Sequence, residues 1–73
     1  MWKDRIVIDE AVLSGKPIVR NTRISVDFII DLLAEKWKIE DILKNYPQLA
    51  EEDILAALKY SSEVVKKEKT FSL

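Results

Sequence analysis

The sequence predicts a small α+β domain, mostly α: a short N-terminal β-hairpin arm followed by three helices with the spacing of a helix-turn-helix bundle. Three observations predict it. Two β-branched runs of strand length, Ile6-Val7-Ile8 and Ile18-Val19, lie in the first 25 residues. From Ser25 the apolar residues switch to a helical period, with Val26, Ile29, Ile30, Leu33 and Trp37 at i, i+3, i+4, i+7 and i+11. The chain has 73 residues and no Cys, which fits one domain without disulfide staples. One core of this size supplies only about 3–5 kcal/mol, so association with a partner is expected.

Each element follows from local chemistry. The two strands are separated by a turn-like Ser14-Gly15, and Pro17 sits where a strand begins. Arg20-Asn21-Thr22-Arg23 reads as a tight turn, because Asn tolerates a left-handed backbone. Strands this short must pack on the helices or pair with another chain. Ser25 is the expected N-cap of a first helix over about 26–36, with Asp27 in its first turn. Ile39, Ile42, Leu43 and Tyr46 define a second helix over about 39–45, ended by Pro47. A third opens on Glu51-Glu52-Asp53 and runs to about 66, with Ile54, Leu58, Ser61 and Val65 in line and Leu55, Ala57 and Val64 beside them. One domain thus covers residues 1–66, hairpin arm 1–25 and bundle 26–66, and 67–73 form a C-terminal tail.

Composition excludes several chemistries. Without His or Cys there is no imidazole base, Ser-His-Asp triad or thiolate metal site. Gly15 is the single glycine, too few for a phosphate-cradling loop. The pair Asp9-Glu10 reads as a turn rather than an acid/base site. The chain is therefore expected to be no enzyme and to carry no cofactor and no metal. The start has charges but no apolar run behind it, and no 18-residue apolar span occurs, so a soluble, cytoplasmic protein with no membrane partner is expected.

Charge nearly cancels overall but is unevenly placed. Lys3, Arg5, Lys16, Arg20 and Arg23 make the start basic, nine acids dominate residues 27–63, and Lys66, Lys67 and Lys69 make the end basic. A helix-turn-helix would lead with the third helix, whose first turn is here acidic and would be repelled by phosphate. The candidate surface for double-stranded DNA is instead the hairpin, with Arg5, Lys16, Arg20 and Arg23 on a β-ribbon that a homodimer would double. The alternative role of these charges is to keep edge strands soluble. Lys67, Lys69, Phe71 and Leu73 make a basic-apolar tail suited to a partner's groove, or a frayed terminus whose lysines complement the helix dipole. Trp2 and Trp37 are read as core or dimer contacts, or as partner anchors.

Several segments together resemble one family. Gly15-Lys16-Pro17-Ile18-Val19-Arg20-Asn21-Thr22-Arg23-Ile24 is similar to the "GKPVIRGTRIPV" hallmark of domain-of-unknown-function family 433. Asp41-Ile42-Leu43-Lys44-Asn45-Tyr46-Pro47-Gln48-Leu49 resembles its "EILENYPQLT" segment, and Glu51-Glu52-Asp53-Ile54-Leu55-Ala56-Ala57-Leu58 its "EEDIRAALAYA" helix. The resemblance implies a homeodomain-like core behind a β-hairpin, and a VapB-type antitoxin-like role in silencing a PIN-like nuclease toxin. Departures from the pattern are Asn21 and Lys36 where Gly is usual, and Lys38 and Ala50 where Ser and Thr caps are usual.

The expected function is accordingly a non-enzymatic antitoxin-like regulator that neutralises a PIN-like toxin and binds operator DNA as a homodimer. The alternatives are a stand-alone DNA-binding transcriptional regulator and a structural dimerisation or adaptor module.

Overall fold

The computed structural model describes residues 2–67. A short 3-10 turn, Trp2–Asp4, leads into strand β1 (Ile6–Ile8), a second, Leu13–Gly15, lies in the connection, and strand β2 (Pro17–Val19) pairs with β1 antiparallel. Ile6 stands opposite Val19, Val7 opposite Ile18 and Ile8 opposite Pro17. Three helices follow: α1 (Val26–Ala34), α2 (Ile39–Asn45) and α3 (Glu51–Lys67). The element order and types match the sequence reading, and β2 begins on Pro17, where a missing N–H does least harm.

The hairpin is built into the core rather than projecting from it as an arm. Ile6 and Val19 from the strands join Ile24, Val26, Ile29, Leu32, Ile42, Leu49, Ile54, Ala56 and Ala57 in one contiguous cluster. Ile29, Ile42 and Ile54, one from each helix, are completely buried. Each contributes about 1.5–3 kcal/mol of apolar burial, so truncating any of them to Ala would cost about 2–5 kcal/mol. Trp2 and Trp37 are half-buried and pack against this cluster, as expected of core aromatics. Trp2 meets Tyr60 edge-to-face, with ring centroids 5.1 Å apart.

Each helix N-terminus is closed by a short acidic side chain or hydroxyl. Ser25 Oγ accepts from the Phe28 N–H at 3.2 Å, the N-cap bond expected from the sequence. Lys38 has no acceptor to offer α2, and there the Asp41 carboxylate reaches back to the Lys38 N–H at 3.4 Å. Ala50 is equally unable to cap α3, and the Asp53 carboxylate accepts from the Ala50 N–H at 2.8 Å. In both cases the third helical residue supplies the half of a capping box that the N-cap residue lacks.

Lys36 keeps the left-handed conformation in which Gly is usual, with φ +73°. It sits in a Schellman motif: the Trp37 N–H donates to Leu32 C=O and the Lys36 N–H to Leu33 C=O, each at 3.0 Å. α1 therefore ends at Ala34, two residues before the predicted 36. Asn21 is also left-handed, at φ +63°, as its turn requires. The connection between the strands is less ordinary, since Leu13, Ser14 and Gly15 all have positive φ. Gly15, at φ +81°, takes a backbone conformation that favours glycine, while a Cβ there would meet only the movable tip of the Glu10 side chain.

One expectation is corrected in α3. The predicted inner line of Ile54, Leu58, Ser61 and Val65 holds only at Ile54, whereas Leu58 and Val65 are exposed. The buried residues are Asp53, Ile54, Ala56 and Ala57. Ala57, expected beside that line, is buried with Ile54, whereas Ala56 and the Asp53 carboxylate complete a face that hydropathy alone does not mark. Leu55, Leu58 and Val65 are left facing outward.

Candidate functional site

The four basic residues assigned to a ribbon do not form one array. Arg5 Nη1 donates to Asp53 Oδ1 at 2.9 Å, so this guanidinium is tied to the start of α3. Lys16 Nζ donates to Asp27 Oδ2 at 3.1 Å, between two largely solvent-exposed side chains. Arg5 and Arg20 line one shallow recess with Asn21, Gln48 and Asp53, whereas Lys16 and Arg23 line another with Leu13, Ile24 and Phe28. Both Arg20 and Arg23 are exposed, and neither forms an ion pair among the described residues.

The loop that carries these two arginines satisfies its own backbone. Thr22 N–H donates to Val19 C=O at 3.0 Å, and the Thr22 hydroxyl donates to the same carbonyl at 2.8 Å. The hydroxyl oxygen in turn accepts from the Ile24 N–H at 3.0 Å, while Val19 N–H donates to Ile24 C=O at 2.9 Å. Arg20 and Arg23 thus project from a closed turn anchored on buried Val19 and Ile24.

Asp27 is the titratable group most affected by its surroundings. The Ser25 hydroxyl donates to its carboxylate, and with the Lys16 ammonium it holds Asp27 below the ordinary value of 3.8. This is a structural role, the anion sitting in the first turn of α1 where the helix dipole also favours it. Asp9 is likewise structural, its Oδ1 accepting from the Ala11 N–H at 2.9 Å in the turn that its sequence suggested. Among the described residues no group of three or more His, Cys, Asp or Glu is placed to hold a metal ion. No helix of those residues is long and apolar enough to cross a membrane.

A second surface was not singled out by the sequence. Pro17, Val26 and Ile30 face Tyr60, Val64 and Val65 across a groove of about 380 Å³ between α1 and α3, with Asp27 and Asp31 also in its lining. Its apolar spacing was visible in each helix, but their juxtaposition depends on the packing angle, which no local pattern encodes. Of the residues assigned to partner binding, Lys67 is exposed in the last turn of α3, close in sequence to Val64 and Val65. Lys69, Phe71 and Leu73 lie outside the described residues.

The architecture is thus that of a small domain with a two-stranded antiparallel hairpin followed by three helices. The family model described as a protein of unknown function (DUF433) matches residues 6–61, and the chain belongs to that family. A solved relative, described as the crystal structure of a DUF433 member protein from Anabaena variabilis ATCC 29413, is similar with a TM-score of 0.82 and 31% identity. The match covers 89% of this chain and 64% of the relative, so this chain spans less than two thirds of that protein's length. No curated protein matches the chain.

Proposed function

We propose that this protein is a non-enzymatic, antitoxin-like regulator that acts by binding another protein, a PIN-like nuclease toxin, in the cytoplasm. The observation that carries the reading is the groove between α1 and α3, whose apolar floor is formed by Val26, Ile30, Tyr60 and Val64 beside Asp27 and Asp31. Such a surface accepts an apolar anchor from a protein segment, and Asp31 at its rim, Asp27 being already paired with Lys16, suits a neighbouring cation. The family resemblance supplies the nuclease as the partner. The test identifies a PIN-like nuclease encoded beside this protein and adds the purified chain to it. Stoichiometric loss of nuclease activity is expected, and Val64→Lys should restore that activity. Undiminished cleavage at a large molar excess of the regulator would reject the antitoxin reading.

The exposed Arg20 and Arg23 on their closed turn favour a second activity, contact with operator DNA by a homodimer. The homeodomain-like analogy would place α3 in the groove, but Glu51 and Glu52 are exposed at its start and oppose that orientation. The loop, rather than α3, is therefore the proposed phosphate contact.

A further inference from the structure

The outward face of α3 carries a pattern that the fold does not use. Leu55, Leu58, Ser62 and Val65 fall at i, i+3, i+7 and i+10, the spacing of a two-helix seam, while the opposite face packs Asp53, Ile54, Ala56 and Ala57 inward. Leu55, Leu58 and Val65 are 51%, 41% and 58% exposed. The ends of the same helix carry opposite charge, with Glu51 and Glu52 in the first turn and Lys66 and Lys67 in the last.

We infer that this stripe is the self-association surface of the protein, and that its occupant is the α3 helix of a second copy running antiparallel. The charges select both the occupant and the direction. Antiparallel pairing sets Leu55 against Val65 of the second copy and Leu58 against its Ser62, and it brings Glu52 level with Lys66 at both ends. A parallel pair would align the helix dipoles and place acid on acid and lysine on lysine. The helix is thus its own complement under a two-fold axis, the condition for an isologous dimer. Ser62 is small enough to let the backbones approach. Lys59, beside the seam near the axis, lies 3.7 Å from Glu63 on its own helix, which moderates repulsion between the two copies.

This inference deepens the protein-binding reading by assigning one surface to the protein itself, and its test needs no toxin. Equilibrium sedimentation of the full chain should show a dimer. Leu58→Lys and, separately, Leu55→Gln should shift it to monomer, with unchanged helical circular dichroism because both positions face solvent. Glu52→Lys alone and Lys66→Glu alone should each weaken self-association by about tenfold, every substitution acting twice in the symmetric dimer. Combining them should restore most of the affinity. A monomeric wild type, a dimer indifferent to both Leu58→Lys and Leu55→Gln, or failure of the charge swap to restore association would overturn the antiparallel α3 dimer. A dimer that meets these tests but leaves the nuclease active would reject the antitoxin reading alone.

Discussion

Arg5 and Asp53, 48 residues apart in the chain, meet at 2.9 Å and join the start of the hairpin to the start of the last helix. The Asp53 carboxylate has two tasks, since its second oxygen accepts from the Ala50 N–H. Asp53 is buried, whereas the Arg5 side chain is 42% exposed. The two partners are therefore unequal in what their removal costs.

Asp53→Ala is expected to destabilise the fold by about 1–3 kcal/mol, because it leaves a helix-start N–H without its acceptor and a guanidinium without its anion. Arg5→Ala should cost less, about 1 kcal/mol at most, as befits a partly solvated ion pair. Asp53→Asn keeps an acceptor oxygen and should fall between them. Urea unfolding of the three variants checks the order.

Ala50→Ser should raise stability by about 0.5–1 kcal/mol, since a hydroxyl at the N-cap of α3 would satisfy a further N–H. The gain should be visible as a higher urea midpoint with an unchanged slope.

Lys36→Gly should also stabilise, by about 0.5–1 kcal/mol, because the residue sits at φ +73° and glycine relieves the left-handed strain. Lys36→Val should do the opposite, its branched Cβ worsening the same clash. Thermal midpoints of the pair should move in opposite directions.

Asp27→Asn tests the anion at the start of α1. Ser25 and Lys16 lower the folded-state value below 3.8, so the carboxylate stabilises the native state above that pH and loses its contribution as pH falls through the folded value. The stability gap between wild type and Asp27→Asn should be present at neutral pH and close in acid, below about pH 3.8. Urea midpoints measured at successive pH values would show a constant gap if Asp27 were uncoupled.

For DNA, Arg20→Ala combined with Arg23→Ala should lower the slope of log affinity against log salt by about two, one for each lost phosphate contact. Lys16→Ala should change it much less, because Asp27 already neutralises that ammonium. Equal effects from all three would restore the continuous basic ribbon as the contact surface.

Much of this fold was legible because its signals are local. The switch from β-branched runs to helical spacing located every strand and helix to within about two residues, and Ser25 announced its own N-cap. The candidate site was less legible because its determinants are distant. Nothing near Arg5 reveals that Asp53 will claim it, and Lys16 meets Asp27 only after the chain has turned twice. α3 misled for a further reason. Leu58 and Val65 advertise burial by hydropathy, yet the helix turns its alanines and Asp53 inward, and composition cannot decide between two faces that both carry apolar residues.

The packing of Trp2 on Tyr60 has a consequence for biosynthesis. A chain emerging N-terminus first presents Trp2, Ile6 and Val19 long before α3, which supplies Tyr60, Ile54 and Ala57 to bury them. Nascent protein lacking α3 has neither the counter-ion of Arg5 nor the wall that covers its strands, so folding waits for nearly the whole sequence to leave the ribosome. A chain cut short before the last helix would therefore expose Trp2, Ile6 and Val19 to solvent, and it is expected to be cleaved by proteases faster than the full chain.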